Sequence, residues 1–161
     1  MRSLTLLFPT LLLAGCLLSC SASPRAYENP TSPPAATVRR PSIFGVWRVV
    51  AIETAGGGRL VPPTSGRPVE LEFAAPVDGQ ARVNGYAGVN RFGGPYSHSL
   101  GEGDVGVLLI GSLAATRMAG PEDAMRFEDA LLDALGRART IAFDGREAAI
   151  DTGDERIVIA R

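Results

Sequence analysis

The residue of this chain best suited to catalysis or metal binding is His98, the single histidine among 161 residues. It lies in the polar run YSHSL. One histidine cannot hold zinc without carboxylate or cysteine partners, and no HExxH-like spacing occurs. A Ser-His-Asp arrangement needs only proximity in space, so the sequence leaves it open. Because nothing resembles a nucleophile elbow, we expect His98 to lie in a surface loop or strand. We predict no catalytic set, metal site or cofactor.

The two cysteines, Cys16 and Cys20, lie together near the N-terminus and indicate lipid attachment. The preceding run, residues 4–13, is apolar but too short to span a bilayer as a helix. The sequence LAGC at residues 13–16 resembles a bacterial lipobox, in which a signal peptidase cuts before the cysteine and its thiol receives a diacylglycerol. We favour Cys16, because small residues precede it. The run LLSC, which ends at Cys20, is the alternative, and an ordinary secretory signal is a third interpretation.

The chain divides into three segments. Residues 1–20 form the predicted lipoprotein signal segment, residues 21–41 a disordered tether and residues 42–161 the folded domain. The tether is rich in proline, serine and alanine, and a flexible chain of its length reaches roughly 25 Å. Each buried CH₂ of a lipid contributes about 0.8 kcal/mol, so a triacylated cysteine holds a protein firmly on a membrane.

These segments predict a location and partners. We expect a protein of the bacterial cell envelope, lipid-anchored at the outer membrane and facing the periplasm. The membrane is one partner, through the N-terminal lipid, and an unknown envelope protein or a small ligand is another. The formal net charge is −1, which gives no basic field to attract nucleic acid, so no nucleic-acid partner is predicted.

The folded domain predicts several short strands and one helix. Residues 44–54 are rich in β-branched residues, and VELEF at 69–73 alternates as a half-buried strand should. Residues 105–116 are almost continuously apolar, which favours a buried strand. Turn signals after the helix predict a meander of three further strands. The order indicates an α+β fold, mainly antiparallel β, in a small curled sheet or barrel-like fold with one packed helix.

The predicted helix covers residues 121–135. Pro121 suits the first helical position, and Glu122 and Asp123 place negative charge at the positive end of the helix dipole. Gly136 is a plausible C-terminal stop. Five apolar residues fall on one stripe: Ala124, Phe127, Leu131, Ala134 and Leu135.

The stretch NGYAGVNRFGGPY, residues 84–96, is dense in glycine and asparagine. It lacks GxGxxG spacing and does not open a helix, which disfavours a phosphate cradle. Glycines permit positive φ or close backbone approach in a tightly bent strand, and asparagines tolerate left-handed conformations. The side chain of Asn90 can also cap exposed backbone groups. We favour this structural role, with a ligand-facing role as the alternative.

Several segments, taken in order, resemble the META domain, the fold of HslJ-like heat-shock and envelope proteins. They are FGVWRVVAIE, VELEF, RVNGYAGVNRFGGPYS, LAATRMAGPEDAMRFEDALLDAL and the closing strands, and together they span residues 43–161. The most specific matching positions are Gly85, Gly88, Asn90, Arg91, Phe92, Gly94, Tyr96, Thr116, Arg117, Met118 and Ala119. Gly45 and Trp47, near the start of the domain, match as well.

The chain departs from the family pattern at two positions. Many members have Gly-Cys-Asn in the first motif and Met-Ala-Cys in the second, whereas this chain has Val89 and Gly120 there. Because both cysteines are absent together, the comparison with the family implies that the two positions lie close in space. A valine beside a glycine roughly fills the volume of two cysteines. The loss puts a redox or disulfide-based role in doubt.

The resemblance implies a small barrel-like domain that is often lipid-anchored in the envelope and is not an enzyme. Family members are associated with heat shock, drug tolerance or motility. We therefore predict a non-catalytic envelope lipoprotein, active in envelope stress or drug tolerance, with a barrel for a small apolar ligand as the alternative. A cavity lined by Tyr86, Phe92 and Met118 would favour the ligand, whereas an interior closed by side chains would favour an interaction module.

Overall fold

The computed structural model describes residues 41–101 and 103–161. The predicted signal segment, both candidate lipidation sites and the tether as far as residue 40 lie outside the described residues. Within the described ranges, no helix has the length and apolar character needed to cross a membrane.

The described residues form ten strands and one helix. In chain order these are β1 (Gly45–Thr54), β2 (Arg59–Leu60), β3 (Glu70–Phe73), β4 (Ala81–Tyr86), β5 (Arg91–Leu100), β6 (Val105–Ile110), β7 (Ala114–Ala115), α1 (Glu122–Gly136), β8 (Thr140–Asp144), β9 (Glu147–Asp151) and β10 (Glu155–Ala160).

Eight of the strands close into an antiparallel barrel. Their order is β1, β3, β4, β5, β6, β8, β9 and β10, and β10 returns to β1. The short strands β2 and β7 pair with β1 and β5. The pairing of β1 with β10 runs from Arg48 to Thr54, with a bulge between Val49 and Ala51. The structure thus confirms the predicted class, because the curled sheet closes completely and one helix packs on it.

Side chains fill the barrel interior, as strand alternation requires. Val69, Leu71 and Phe73 are buried while Glu72 is exposed, which confirms the alternation of VELEF. The largest fully buried side chains are Trp47, Phe73, Phe127, Ile43, Ile52, Leu71, Leu108, Leu131, Leu135, Ile141, Ile150 and Ile157.

Helix α1 contributes its apolar stripe to the same core. It begins one residue later than predicted, because Pro121 precedes the first helical residue, and Gly136 is its last residue. All five residues of the predicted stripe are buried. Glu128 is buried as well, which the prediction did not include.

The prediction of a single buried strand over residues 105–116 was wrong. Strand β6 ends at Ile110, the chain bulges, and β7 follows as a separate two-residue strand. Along β6, Val105, Val107 and Leu109 are exposed while the residues between them are buried. An antiparallel strand of a barrel has one inner and one outer face, and in β6 both faces carry apolar residues. The sequence therefore shows no alternation of apolar and polar residues, although exposed and buried residues alternate in the structure.

The stretch 84–96 is a hairpin rather than one tightly bent strand. Strand β4 ends at Tyr86, a four-residue turn follows, and β5 begins at Arg91. Gly88 has a φ of 125°, as its residue type allows, but neither Asn84 nor Asn90 has positive φ. The asparagines therefore do not use the left-handed conformations that they tolerate.

Candidate functional site

The turn between β4 and β5 is pressed against the first turn of α1. The backbone N–H of Ala87 donates to the carbonyl of Asn90 (2.9 Å), and the Tyr86 hydroxyl donates to the carbonyl of Gly88 (2.6 Å). A Cβ atom on Gly88 would lie 3.3 Å from the carbonyl oxygen of Ala124 in α1. Glycine therefore serves two needs here: a positive φ and a close approach to the helix.

Asn90 bonds the end of this turn to a distant segment. The residue is 1% exposed, and its Oδ1 accepts hydrogen bonds from the hydroxyl of Thr116 (2.8 Å) and the backbone N–H of Met118 (2.7 Å). Its Nδ2 donates to the carbonyl of Met118 (3.1 Å) and to Oε1 of Glu128 (2.8 Å). The predicted capping role of the Asn90 side chain is confirmed, and the capped groups belong to the segment after β7.

Glu128 of α1 completes this cluster of buried hydrogen bonds, and we call the side chains of Asn90 and Glu128 with the groups they bond the corner. The residue is 4% exposed, and its Oε2 accepts from the backbone N–H of Asn90 (2.7 Å) and of Val89 (3.2 Å). With the Asn90 amide, the carboxylate therefore accepts three N–H groups, which compensates for the loss of water around a buried charge. Sequence reasoning missed Glu128, although it lies four residues after Ala124 and three before Leu131, inside the sector of the apolar stripe. A charged residue in such a sector was the available signal.

The two positions that carry cysteine in many family members are neighbours. A Cβ atom on Gly120 would lie 2.4 Å from Cγ2 of Val89. The inference that they lie close in space is confirmed, and Val89 occupies the volume that a side chain at 120 would need.

A groove opens between the segment fixed by Asn90 and the helix. We call residues 113–119 the ledge. The ledge forms one wall of the groove, and Met125, Asp129 and Leu132 of α1 form the other. Its volume is about 810 Å³, and Asn90 and Glu128 border it. Met118 is 56% exposed and Arg117 is also exposed, so the ledge offers apolar and cationic groups to solvent.

The family model of the META domain matches residues 43–161. The chain belongs to the META domain family. An NMR structure of a protein from Burkholderia xenovorans is similar to this META domain, with 25% sequence identity and a TM-score of 0.57. That match covers 81% of this chain and 97% of the other. A second NMR structure, 19% identical with a TM-score of 0.47, covers 70% of this chain and 86% of its own. No curated protein matches the chain significantly.

Most other motif residues of this META domain build the barrel wall. The backbone N–H of Arg91 donates to the Thr116 hydroxyl (3.1 Å), and the N–H of Thr116 donates to the Arg91 carbonyl (2.9 Å). The ring of Phe92 lies where a side chain at Gly85 would be, and a Cβ on Gly94 would lie 2.7 Å from the Ser112 carbonyl oxygen.

Tyr96 of β5 is buried and belongs to the same wall. Its hydroxyl donates to the carbonyl of Ala74 (2.8 Å), and its ring meets Phe73 edge-on at 5.1 Å. Burial raises the pKa of the Tyr96 hydroxyl above its ordinary value. Tyr96 therefore acts as a structural hydrogen-bond donor within the core.

The three residues proposed to line a ligand cavity do not share one. Tyr86 and Phe92 border a groove of about 330 Å³ on the outer barrel wall, where the guanidinium of Arg67 lies 5.3 Å from the Tyr86 ring centre. Met118 borders the groove beside α1. The structure thus separates the residues on which the predicted ligand cavity depended.

His98 lies on β5, opposite Leu108 of β6, and its surroundings are aromatic. Its ring is 5.2 Å from that of Phe44, edge-on, and 5.8 Å from that of Tyr96. It is a strand residue, one of the two placements expected. Within residues 41–101 and 103–161, no group of three or more histidine, cysteine, aspartate or glutamate side chains is arranged to hold a metal ion.

Proposed function

We propose that this META-domain protein is a lipid-anchored protein of the cell envelope whose barrel acts by binding rather than by catalysis. The observation that carries the binding role is the open groove beside α1, bordered by the buried and hydrogen-bonded side chains of Asn90 and Glu128, next to a barrel whose interior is filled by side chains. Binding needs an accessible, pre-organised surface. The groove is such a surface, and the motif residues Asn90, Arg117 and Met118 border it.

The buried polar groups at the corner support a binding role over catalysis. Both carboxylate oxygens of Glu128 accept N–H groups, and all the polar atoms of the Asn90 side chain bond to protein groups. A general acid or base must reach a substrate proton, which an oxygen already held by two backbone N–H groups does poorly. These side chains are suited to fixing the ledge in place.

The alternative, a small apolar ligand inside the barrel, is disfavoured by the core. Trp47, Phe73 and Leu108 are among the side chains that fill the interior, and each is at most 2% exposed. Small barrels either hold one ligand or fill their interior with side chains, and this barrel matches the second case.

The lipid anchor rests on the LAGC sequence at residues 13–16 and is tested by a matched pair of variants. Cys16→Ser should move the protein from the membrane fraction to the soluble fraction, whereas Cys20→Ser should leave it on the membrane. Mass spectrometry of the membrane-bound protein should find the lipid on Cys16. The reverse pattern would assign the lipid to Cys20, and an unmodified soluble chain would contradict the anchor.

A role in envelope stress or drug tolerance rests on the associations of the family. A strain that lacks the gene should survive heat or drug exposure less well, and the native gene should restore survival. His98→Ala should restore it equally, because the proposed role does not use this side chain. Met125→Glu, which places charge in the groove, should not. If His98→Ala failed to restore survival while the variant folded normally, the non-catalytic proposal would be wrong.

A further inference from the structure

The eight barrel strands close, but the short strand β7 of the ledge has an edge to which no strand is paired among the described residues. Along one edge of β5, residues 96–100 pair with β6, and Phe92 and Gly93 pair with β7. Strand β8 pairs with β6 over Val105–Val107. Among the described residues, no strand pairs with the outer side of β7.

The ledge turns unpaired backbone groups toward this edge. The N–H of Thr116 donates to the Arg91 carbonyl, and both backbone groups of Met118 bond to the Asn90 side chain. Residues 116 and 118 therefore face β5. Strand β7 ends at Ala115, but the bonds of residues 116 and 118 continue its alternation, from which we infer that Ala115 and Arg117 direct their N–H and C=O groups outward. All residues from 114 to 120 are exposed.

The groove lies beside this edge and can accept side chains. Leu113, Met118, Met125 and Leu132 give it apolar walls. Methionine adapts to different partner shapes and is common at binding surfaces that accept several sequences. The corner formed by Asn90 and Glu128 fixes the ledge in advance, so little ordering remains to be done when a partner binds.

The charges at the groove have opposite signs on its two walls. Arg117 on the ledge and Asp129 on the helix are both exposed. We propose that the outer edge of the ledge binds an extended peptide segment of a partner protein by adding it as a strand. Alternate apolar side chains of the peptide enter the groove, an acidic residue lies beside Arg117 and a basic residue lies beside Asp129. This mode takes affinity from main-chain hydrogen bonds and specificity from side-chain pockets.

Two other occupants fit the groove less well. The N-terminal segment of this chain has prolines at positions 24, 30, 33 and 34, and proline cannot donate to a ladder. A second copy pairing edge to edge would bring a ledge in which three of the seven side chains are alanine, too small to fill a groove of about 810 Å³. A partner peptide supplies both the backbone groups and the apolar side chains.

A phage-displayed library of random nine-residue peptides, selected on the full chain in detergent micelles, tests the inference. We expect enriched peptides that lack proline and alternate apolar with polar residues. A synthetic peptide from the selection should bind in fluorescence anisotropy. Methylating the backbone nitrogens along one edge of that peptide should weaken binding about tenfold or more, while methylating the other edge should not.

Two variants of the protein locate the binding. Ala115→Pro removes an outward N–H without affecting the pairing with β5, so it should weaken binding about tenfold while the melting temperature stays nearly unchanged. Met125→Glu should weaken binding by a similar factor. Val107→Glu is the matched control, because Val107 is an exposed apolar residue (48%) of β6 that does not border the groove, and it should bind as the native chain does.

The outcomes separate this inference from the proposed function on which it rests. No enriched peptide, or peptides that bind Ala115→Pro and Met125→Glu normally, would overturn strand addition. A dimer of the native chain that Ala115→Pro dissociates would replace the peptide with a second copy. If Met125→Glu abolished survival under stress but no peptide bound, the binding role would stand with a different ligand. Loss of the lipid anchor would leave the peptide result unaffected.

Discussion

The barrel interior and the corner around Asn90 and Glu128 are both buried, but different physics holds them together. The interior consists of apolar side chains whose contributions are non-directional and roughly additive in buried area. The corner consists of hydrogen bonds in which each donor has one intended acceptor. The comparison teaches that the interior tolerates a change of residue that preserves volume, whereas the corner tolerates none that alters a donor or an acceptor.

The largest effect is expected from a cavity in the interior. Phe127 is almost fully buried in the core, and Phe127→Ala should lower the free energy of unfolding by about 4 kcal/mol. Phe127→Leu, which keeps most of the apolar volume, should cost about 1.5 kcal/mol. Denaturant titrations of both variants check this. Equal losses of unfolding free energy in the two variants would show that the interior, like the corner, does not tolerate a change of residue.

The next effect breaks the corner with an isosteric change. Asn90→Asp preserves shape, but it replaces the donor that faces Glu128 with an oxygen and places two carboxyl groups side by side. We expect a loss of about 3 kcal/mol in thermal or denaturant unfolding at neutral pH. Asn84→Asp is the control, because Asn84 is exposed on the outer barrel wall, and it should cost less than about 1 kcal/mol, from repulsion by Glu72 directly opposite. A stable Asn90→Asp variant would mean that the corner is not held by its donors.

A smaller effect tests the packing between Val89 and Gly120. Gly120→Ala should cost about 2 kcal/mol, because the new methyl group overlaps Val89. Combining it with Val89→Ala should recover much of the loss, so that the double-mutant cycle gives a favourable coupling. Additive losses in thermal unfolding would show that the neighbours move apart instead.

The smallest effect concerns the turn itself. Gly88→Val combines an unfavourable positive φ with a contact to Ala124, and should cost about 1 kcal/mol or more. Gly56→Val is the matched control, since a Cβ there meets nothing within 4 Å and its φ is not positive. Melting curves that agree for the native chain and Gly88→Val would remove backbone geometry as the reason for this glycine.

The barrel was predictable from the sequence because its signals are local. The alternation of VELEF and the helical stripe each follow from the geometry of one element, and both agree with the structure. The same logic failed for β6, where Val105, Val107 and Leu109 are apolar on an outer face. The sequence of a strand indicates which of its two faces is buried only when the residues on those faces differ in polarity.

The corner was only partly predictable because its partners are distant in sequence. Asn90 bonds to Glu128 across 38 residues and to Met118 across 28. Composition suggested that Asn90 caps backbone groups, but nothing in its neighbourhood identified which ones. The proximity of Val89 and Gly120 was inferred from the resemblance to a family in which many members have cysteine at both positions, whereas this chain has cysteine at neither.

The pairing of β1 with β10 has a consequence for how the domain assembles. These are the first and last strands of the described residues, and Arg48 pairs with Ala160 across nearly the whole domain. The ring of strands cannot shut while its final segment is still missing, and contacts of such long sequence separation form slowly. A nascent chain therefore cannot close its barrel until the last residues of the domain have left the ribosome, so the domain folds after its synthesis rather than during it.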